Sequence, residues 1–179
     1  MRILKKIFLA LIFIVVVSLL AALVMPKDYS VKREITVNKP VDSVYNYVRF
    51  LKNQNDFNVW SKIDPKMKQS YSGIDGEVGS ISSWESQNEQ VGIGEQEIVK
   101  LTTNQRIDFE LRFKKPMEDT ATGFMTTESI APNQTKVTWG IEGRMPYPTN
   151  LMLPFIKMDE LIGKDLSQGL ENMKDKLEK

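Results

Sequence analysis

An uncharged run from Ile7 to Met25 stands directly behind Arg2, Lys5 and Lys6, and nothing else in the chain restricts its architecture as strongly. A helix needs about 20 apolar residues to cross a bilayer, and this run supplies nineteen. A cleaved signal peptide has a shorter apolar core, of roughly 7–15 residues, followed by a small-x-small site, and Leu20-Ala21-Ala22-Leu23 offers no good one. The sequence therefore predicts an uncleaved anchor over residues 1–26 and a separate domain over 27–179. The basic N-terminal tail favours a single pass with the domain on the extracytoplasmic side, although Lys27, Lys32, Arg33 and Lys39 beyond the run weaken that asymmetry. Four residues, Pro26 to Tyr29, separate the anchor from the first expected strand. They reach at most about 14 Å, which holds the domain against the membrane surface.

The remaining chain is long enough for one domain with its own core. The full chain of 179 residues, 41% hydrophobic and 26% charged, has an ordinary globular composition. A net charge of +1 and the lack of a basic stripe interleaved with aromatics argue against nucleic-acid binding. The chain has no cysteine, which excludes disulfides, zinc–thiolate sites and thiol nucleophiles, and no histidine, which excludes the commonest general base and transition-metal ligand. Chemistry, if any, falls to Asp, Glu, Lys, Tyr or Arg, and no cofactor or metal site is expected.

Periodicity sets the order of elements. Ser30–Val37 reads as a strand, and Asn38-Lys39-Pro40 opens a helix whose inner face is Val41, Val44, Tyr45 and Val48, with Asp42 favouring the helix dipole. A second helical piece is expected from Leu51 towards Trp60, ending before Asp64-Pro65. Strands follow at Met67–Tyr71, Ser80–Ser86, Gly92–Thr102, Arg106–Phe113, Thr120–Ile130 and Thr135–Gly143, with a hairpin turn at Pro132-Asn133. In RIDFELRF the residues Ile107, Phe109, Leu111 and Phe113 alternate with charged ones, which marks a sheet with one wet face. The alternation slips near Val99 and Lys100, as at a bulge.

In the final stretch Met158, Ile162, Leu166, Gly169, Leu170, Met173 and Leu177 fall in one helical stripe, with Gly163 on its edge. Glycine within a helix costs roughly 1 kcal/mol relative to alanine, so its use here needs a reason. Either a strand or aromatic ring approaches closely, or the missing volume belongs to a cavity. Asp159 also points along the stripe. An acid facing an apolar interior needs a partner or a ligand, and the alternatives are a salt bridge or a wet position near the helix start.

The segments Pro40–Val48, Phe57–Ser61, Asp64–Met67, Tyr71–Gly73, Ser83–Glu85, Thr135–Trp139 and Met158–Asp165 resemble the polyketide cyclase/dehydrase branch of the START-related superfamily, usually called SRPBCC, which includes the birch-pollen allergen. The likeness runs from Tyr29 to Leu177 and is closest to membrane-anchored bacterial members. It implies an α+β helix-grip fold, a bent seven-stranded antiparallel sheet around a long C-terminal helix, and a hydrophobic small molecule or lipid in the enclosed space. Candidate lining residues are Trp84, Phe109, Phe113, Met125, Trp139, Met158, Asp159, Ile162, Leu166, Gly169 and Met173. The competing reading is a cyclase-like enzyme in which Asp159, Glu85 or Tyr71 moves protons, and a ligand-free interaction role is the third. Two features depart from the family pattern: Pro154, which is expected to kink or delay the start of the last helix, and the unusually stiff loop Arg144–Pro148, and together they bear on the pocket entrance.

Overall fold

The computed structural model describes residues 2–179. Helix α1, Arg2–Val24, is long and apolar enough to cross a membrane, a property that a signal sequence shares. Its residues are exposed up to Val17; Ser18, Leu19 and Ala21 are partly buried and Ala22 is fully buried. Strand β1 (Asp28–Val37) leads into α2 (Val41–Val48), which Pro40 opens and which presses Val44, Tyr45 and Val48 inward. Val41, expected on that face, is only partly buried.

The second expected helix is broken. A 3-10 turn at Leu51–Asn53 is followed by two single-turn helices, α3 (Gln54–Phe57) and α4 (Trp60–Ile63). Asn58 interrupts them in an extended conformation, its Oδ1 accepting the Trp60 N–H at 2.9 Å while Ser61 Oγ donates to the Asn58 carbonyl at 2.8 Å. Asn and Ser side chains bonded to nearby backbone compete with helix hydrogen bonds, which helical periodicity does not reveal.

Six strands follow: β2 (Lys68–Ser72), β3 (Ile81–Glu85), β4 (Ile93–Thr102), β5 (Arg106–Lys115), β6 (Asp119–Ala131) and β7 (Gln134–Arg144). They form one antiparallel seven-stranded sheet in the order β1-β7-β6-β5-β4-β3-β2. The β4–β5 register shifts between Ile98 and Lys100, at the expected bulge. The wet face of β5 carries Arg112, which bonds Glu95 at 2.7 Å and Glu97 at 2.8 Å across the ladder and also Glu110.

Helix α5, Met158–Glu178, lies across the concave face, its start delayed by a 3-10 turn at Thr149–Met152 and the loop after it. Leu166, Leu170 and Met173 are fully buried against Val37, Val44, Val48, Ile107, Met125 and Val137. This is a seven-stranded helix-grip architecture with a solid core beneath the C-terminal half of α5. The N-terminal half sits over a void.

Candidate functional site

The void is a cavity of about 600 Å³ between the sheet and the start of α5. Strand β5 supplies Phe109, Leu111 and Phe113, β6 supplies Ala121 and Gly123, and β7 supplies Trp139 and Ile141. Trp84 from β3, Trp60 from α4 and Leu161 and Ile162 from α5 extend the apolar wall, together with Leu51, Ile63, Met67 and Val91. The aromatic rings are held in mutual edge contacts. Trp84 meets Phe113 at 6.0 Å and 70°, and Trp60 meets Trp139 at 6.1 Å and 86°, geometries that suit aromatic quadrupoles. Trp84 Nε1 donates to the Val91 carbonyl at 3.2 Å, so its polar edge is satisfied by the backbone of another lining residue.

One side of the cavity is polar and neutral. Gln96 Nε2 donates to Gln54 Oε1 at 3.1 Å, and Gln69 Nε2 donates to Asn55 Oδ1 at 2.9 Å; all four residues line the cavity. Tyr29 and Asp165 are its titratable lining groups among the described residues. Burial pushes the Tyr29 phenol above its ordinary value, and the charge of Asp119 adds to that. No cluster of acidic side chains that could hold a metal ion occurs among the described residues.

The sequence candidates divide between void and core. Trp84, Phe109, Phe113, Trp139 and Ile162 line the cavity. Met125, Leu166 and Met173 instead pack into the solid core farther along the sheet and helix. Met158 lines a separate cavity of about 300 Å³, with Met25, Pro26, Tyr29, Leu153 and Ile156.

Gly169 opens no space. A Cβ there would lie 2.6 Å from Trp139 Cζ3, so the missing side chain lets the indole press against the helix. Gly163, expected at the edge of the stripe, is buried, and the slot its Cβ would fill is occupied by the Arg33 guanidinium. That arginine explains the correction at Asp159. Its carboxylate faces solvent rather than the interior, with Arg33 Nη1 on Oδ1 and Nη2 on Oδ2, each at 2.8 Å, and Nη2 also 3.1 Å from the Asp159 carbonyl. Asp159 lies in the first turn of α5, where a stripe direction no longer implies cover, and Arg33 holds its carboxyl below the usual carboxylate range. The other acid–base candidates, the exposed Glu85 and the partly buried Tyr71, do not line the cavity either; Tyr71 Oη is tied to Asn55 and Gln69.

The residue that creates room is Gly123, which sequence reasoning missed. The atoms nearest to a Cβ on it would be those of Leu111 at 3.4 Å and Phe109 at 3.6 Å, ordinary contact distances, and Gly123 itself lines the cavity. Gly123 and Ala121 share strand parity with Met125, so the available signal was two small residues on the inward face of β6, where bulky ones are the norm.

A family model described as polyketide cyclase / dehydrase and lipid transport matches residues 28–178, nearly the whole chain beyond α1. The chain belongs to that family. Solved structures of low identity share the fold of this family member. Norcoclaurine synthase from Thalictrum flavum, in complex with dopamine and hydroxybenzaldehyde, superimposes with a TM-score of 0.60 at 10% identity, covering 87% of this chain and 89% of the other. Ara h 8.0201 gives 0.57 at 11% identity, covering 84% and 97%. The Aha1 dimer from Colwellia psychrerythraea gives 0.54 at 16% identity, covering 84% and 96%. No curated protein matches the family member in sequence.

Proposed function

We propose that this family member is a membrane-tethered binding domain that holds a hydrophobic small molecule or lipid between its sheet and the first half of α5. The aromatic-lined cavity of about 600 Å³ carries the reading, since ligand sites are concave, mostly apolar and of roughly 300–1,000 Å³. The neutral amides of Gln54, Asn55, Gln69 and Gln96 suit a ligand that is apolar along most of its length and carries an uncharged hydrogen-bonding group. In this proposal α1 stays uncleaved as the tether; its 23 residues span about 34 Å at 1.5 Å each, enough for a hydrocarbon core of about 30 Å. The domain sits on the extracytoplasmic side.

Gly123→Phe tests the binding reading. The new ring has room to extend into the cavity without a first-atom clash, so the fold survives and the ligand does not fit. Native mass spectrometry of the full-length protein, released from its own membranes, should show an apolar adduct that Gly123→Phe lacks. Equal retention by both proteins, or none by the parent, contradicts the proposal. A carboxylate-driven enzyme of the cyclase type is the second reading, and Asp165 favours it as the acid that lines the cavity. Turnover of the retained molecule, lost in Asp165→Asn, would establish it. Protease digestion of spheroplasts tests the sidedness, and protection of the domain would reverse it.

A further inference from the structure

Helix α1 ends against the domain. The last carbonyls of a helix lack intrahelical partners, and here Asn150 supplies one: its Nδ2 donates to the Ala22 carbonyl at 2.7 Å and lies 3.3 Å from that of Met25. Asn150 and Ala22 are both fully buried in this contact. The Met145 N–H bonds the Lys27 carbonyl at 2.8 Å, so the connection between β7 and α5 is tied to the chain emerging from α1 at two points. Just beyond, Leu153, Pro154, Ile156 and Met158 enclose the smaller cavity together with Met25 and Pro26.

The same loop exposes its apolar residues. Phe155 is 85% exposed and Met152 is 55% exposed. Scattered exposed hydrophobics are normal on a protein, but these sit level with the end of an apolar helix. The sheet register puts the β5–β6 turn, where Met117 is 76% exposed, at the same end, since Asp28 pairs with Arg144, Glu142 with Thr122 and Asp119 with Phe113. The β6–β7 turn at Pro132-Asn133 is at the opposite end.

We infer that Asn150 clamps the domain to the end of α1 so that the loop Leu151–Ile156 is seated in the interfacial layer of the lipid bilayer, with Met152 and Phe155 immersed. The occupant is lipid because the loop is hydrogen-bonded to the point where α1 meets the surface, leaving acyl chains as its nearest apolar neighbours. The inference rests on reading α1 as a membrane span. It gives the smaller cavity a position at the lipid surface, and Tyr29, which lines both cavities, stands between that position and the ligand space.

The absence of cysteine permits a direct test. Full-length protein carrying one cysteine at a time, Leu11→Cys, Phe155→Cys or Asn133→Cys, is labelled with an environment-sensitive fluorophore. Each is reconstituted in phosphatidylcholine–phosphatidylglycerol vesicles containing nitroxide lipids of graded depth. The Phe155→Cys label should be blue-shifted and quenched most by shallow nitroxides, at a depth of about 5–10 Å, as for interfacial apolar groups. The Leu11→Cys label should respond to deep nitroxides, and the Asn133→Cys label to none. Adding Asn150→Ala should release the Phe155→Cys label from the lipid while leaving Leu11→Cys unchanged. An unquenched Phe155→Cys label beside a deeply quenched Leu11→Cys label overturns the docking and leaves the anchor intact. An unquenched Leu11→Cys label overturns both. Shielding of Phe155→Cys that disappears on dilution of protein into lipid assigns the loop to a second copy instead. Quenching unaffected by Asn150→Ala removes the clamp.

Discussion

Replacing Gly169 by alanine adds a single carbon, and the structure dictates where it goes. The new Cβ would lie 2.6 Å from Trp139 Cζ3, 3.4 Å from Cη2 and 3.5 Å from the Phe57 carbonyl. Carbon atoms pack best at about 3.5–4.0 Å, so helix and indole must separate by about 1 Å. The indole has little freedom to yield: it is 6% exposed and held edge-on by Phe57 at 5.6 Å and by Trp60 on another side. Overpacking of this kind costs about 1–3 kcal/mol, and removing a helical glycine returns up to roughly 1 kcal/mol. A net loss of about 1–2 kcal/mol should lower the thermal midpoint by about 2–8 °C for a chain of this size. Full-length protein in lipid nanodiscs, melted while tryptophan fluorescence is followed, provides the assay, since Trp139 itself reports the disturbance. A midpoint equal to or above that of the parent would show free space beside Gly169 and refute the close-packing argument. Gly169→Leu should then be better still, whereas close packing makes it worse.

Gly163→Ala displaces the flexible end of Arg33 rather than a fixed ring, so its melting midpoint should shift far less than that of Gly169→Ala, in the same assay. The Asp159 carboxyl, followed by NMR, should titrate below the usual carboxylate range. Because its folded pKa is depressed, its contribution to stability is complete above the unfolded value of about 3.9 and is lost as pH falls through the folded value; Arg33→Gln should move the titration back up. Met173→Ala, in the solid core, should cost about 2–5 kcal/mol by denaturant unfolding, whereas Phe113→Ala, whose ring already faces the cavity, should cost less and admit a bulkier ligand.

Local pattern alone determined much of this protein. Nineteen uncharged residues behind a basic tail define an apolar helix because hydrocarbon thickness and helix rise are fixed lengths. Alternation in RIDFELRF, the turn at Pro132-Asn133 and the slip near Val99 appear in the structure as β5, the β6–β7 hairpin and the β4 bulge, because each is a property of a few neighbouring residues. The stripe from Ile162 to Leu177 likewise predicts which side of α5 meets the sheet. None of these patterns states what lies opposite. Met125 and Gly123 have the same parity on β6, yet one is core and the other cavity wall, since only the crossing of α5 over a curved sheet decides where the two surfaces touch. Gly163 and Gly169 are both small for close approach, but the partners, Arg33 and Trp139, lie more than a hundred and about thirty residues away in sequence. Asp159 shares its helical direction with apolar residues and still faces water, because the first turn of α5 is not covered and Arg33 reaches across from β1. Periodicity gives direction from a helix axis; cover, void and partner are set by the neighbouring elements that tertiary structure brings to that direction.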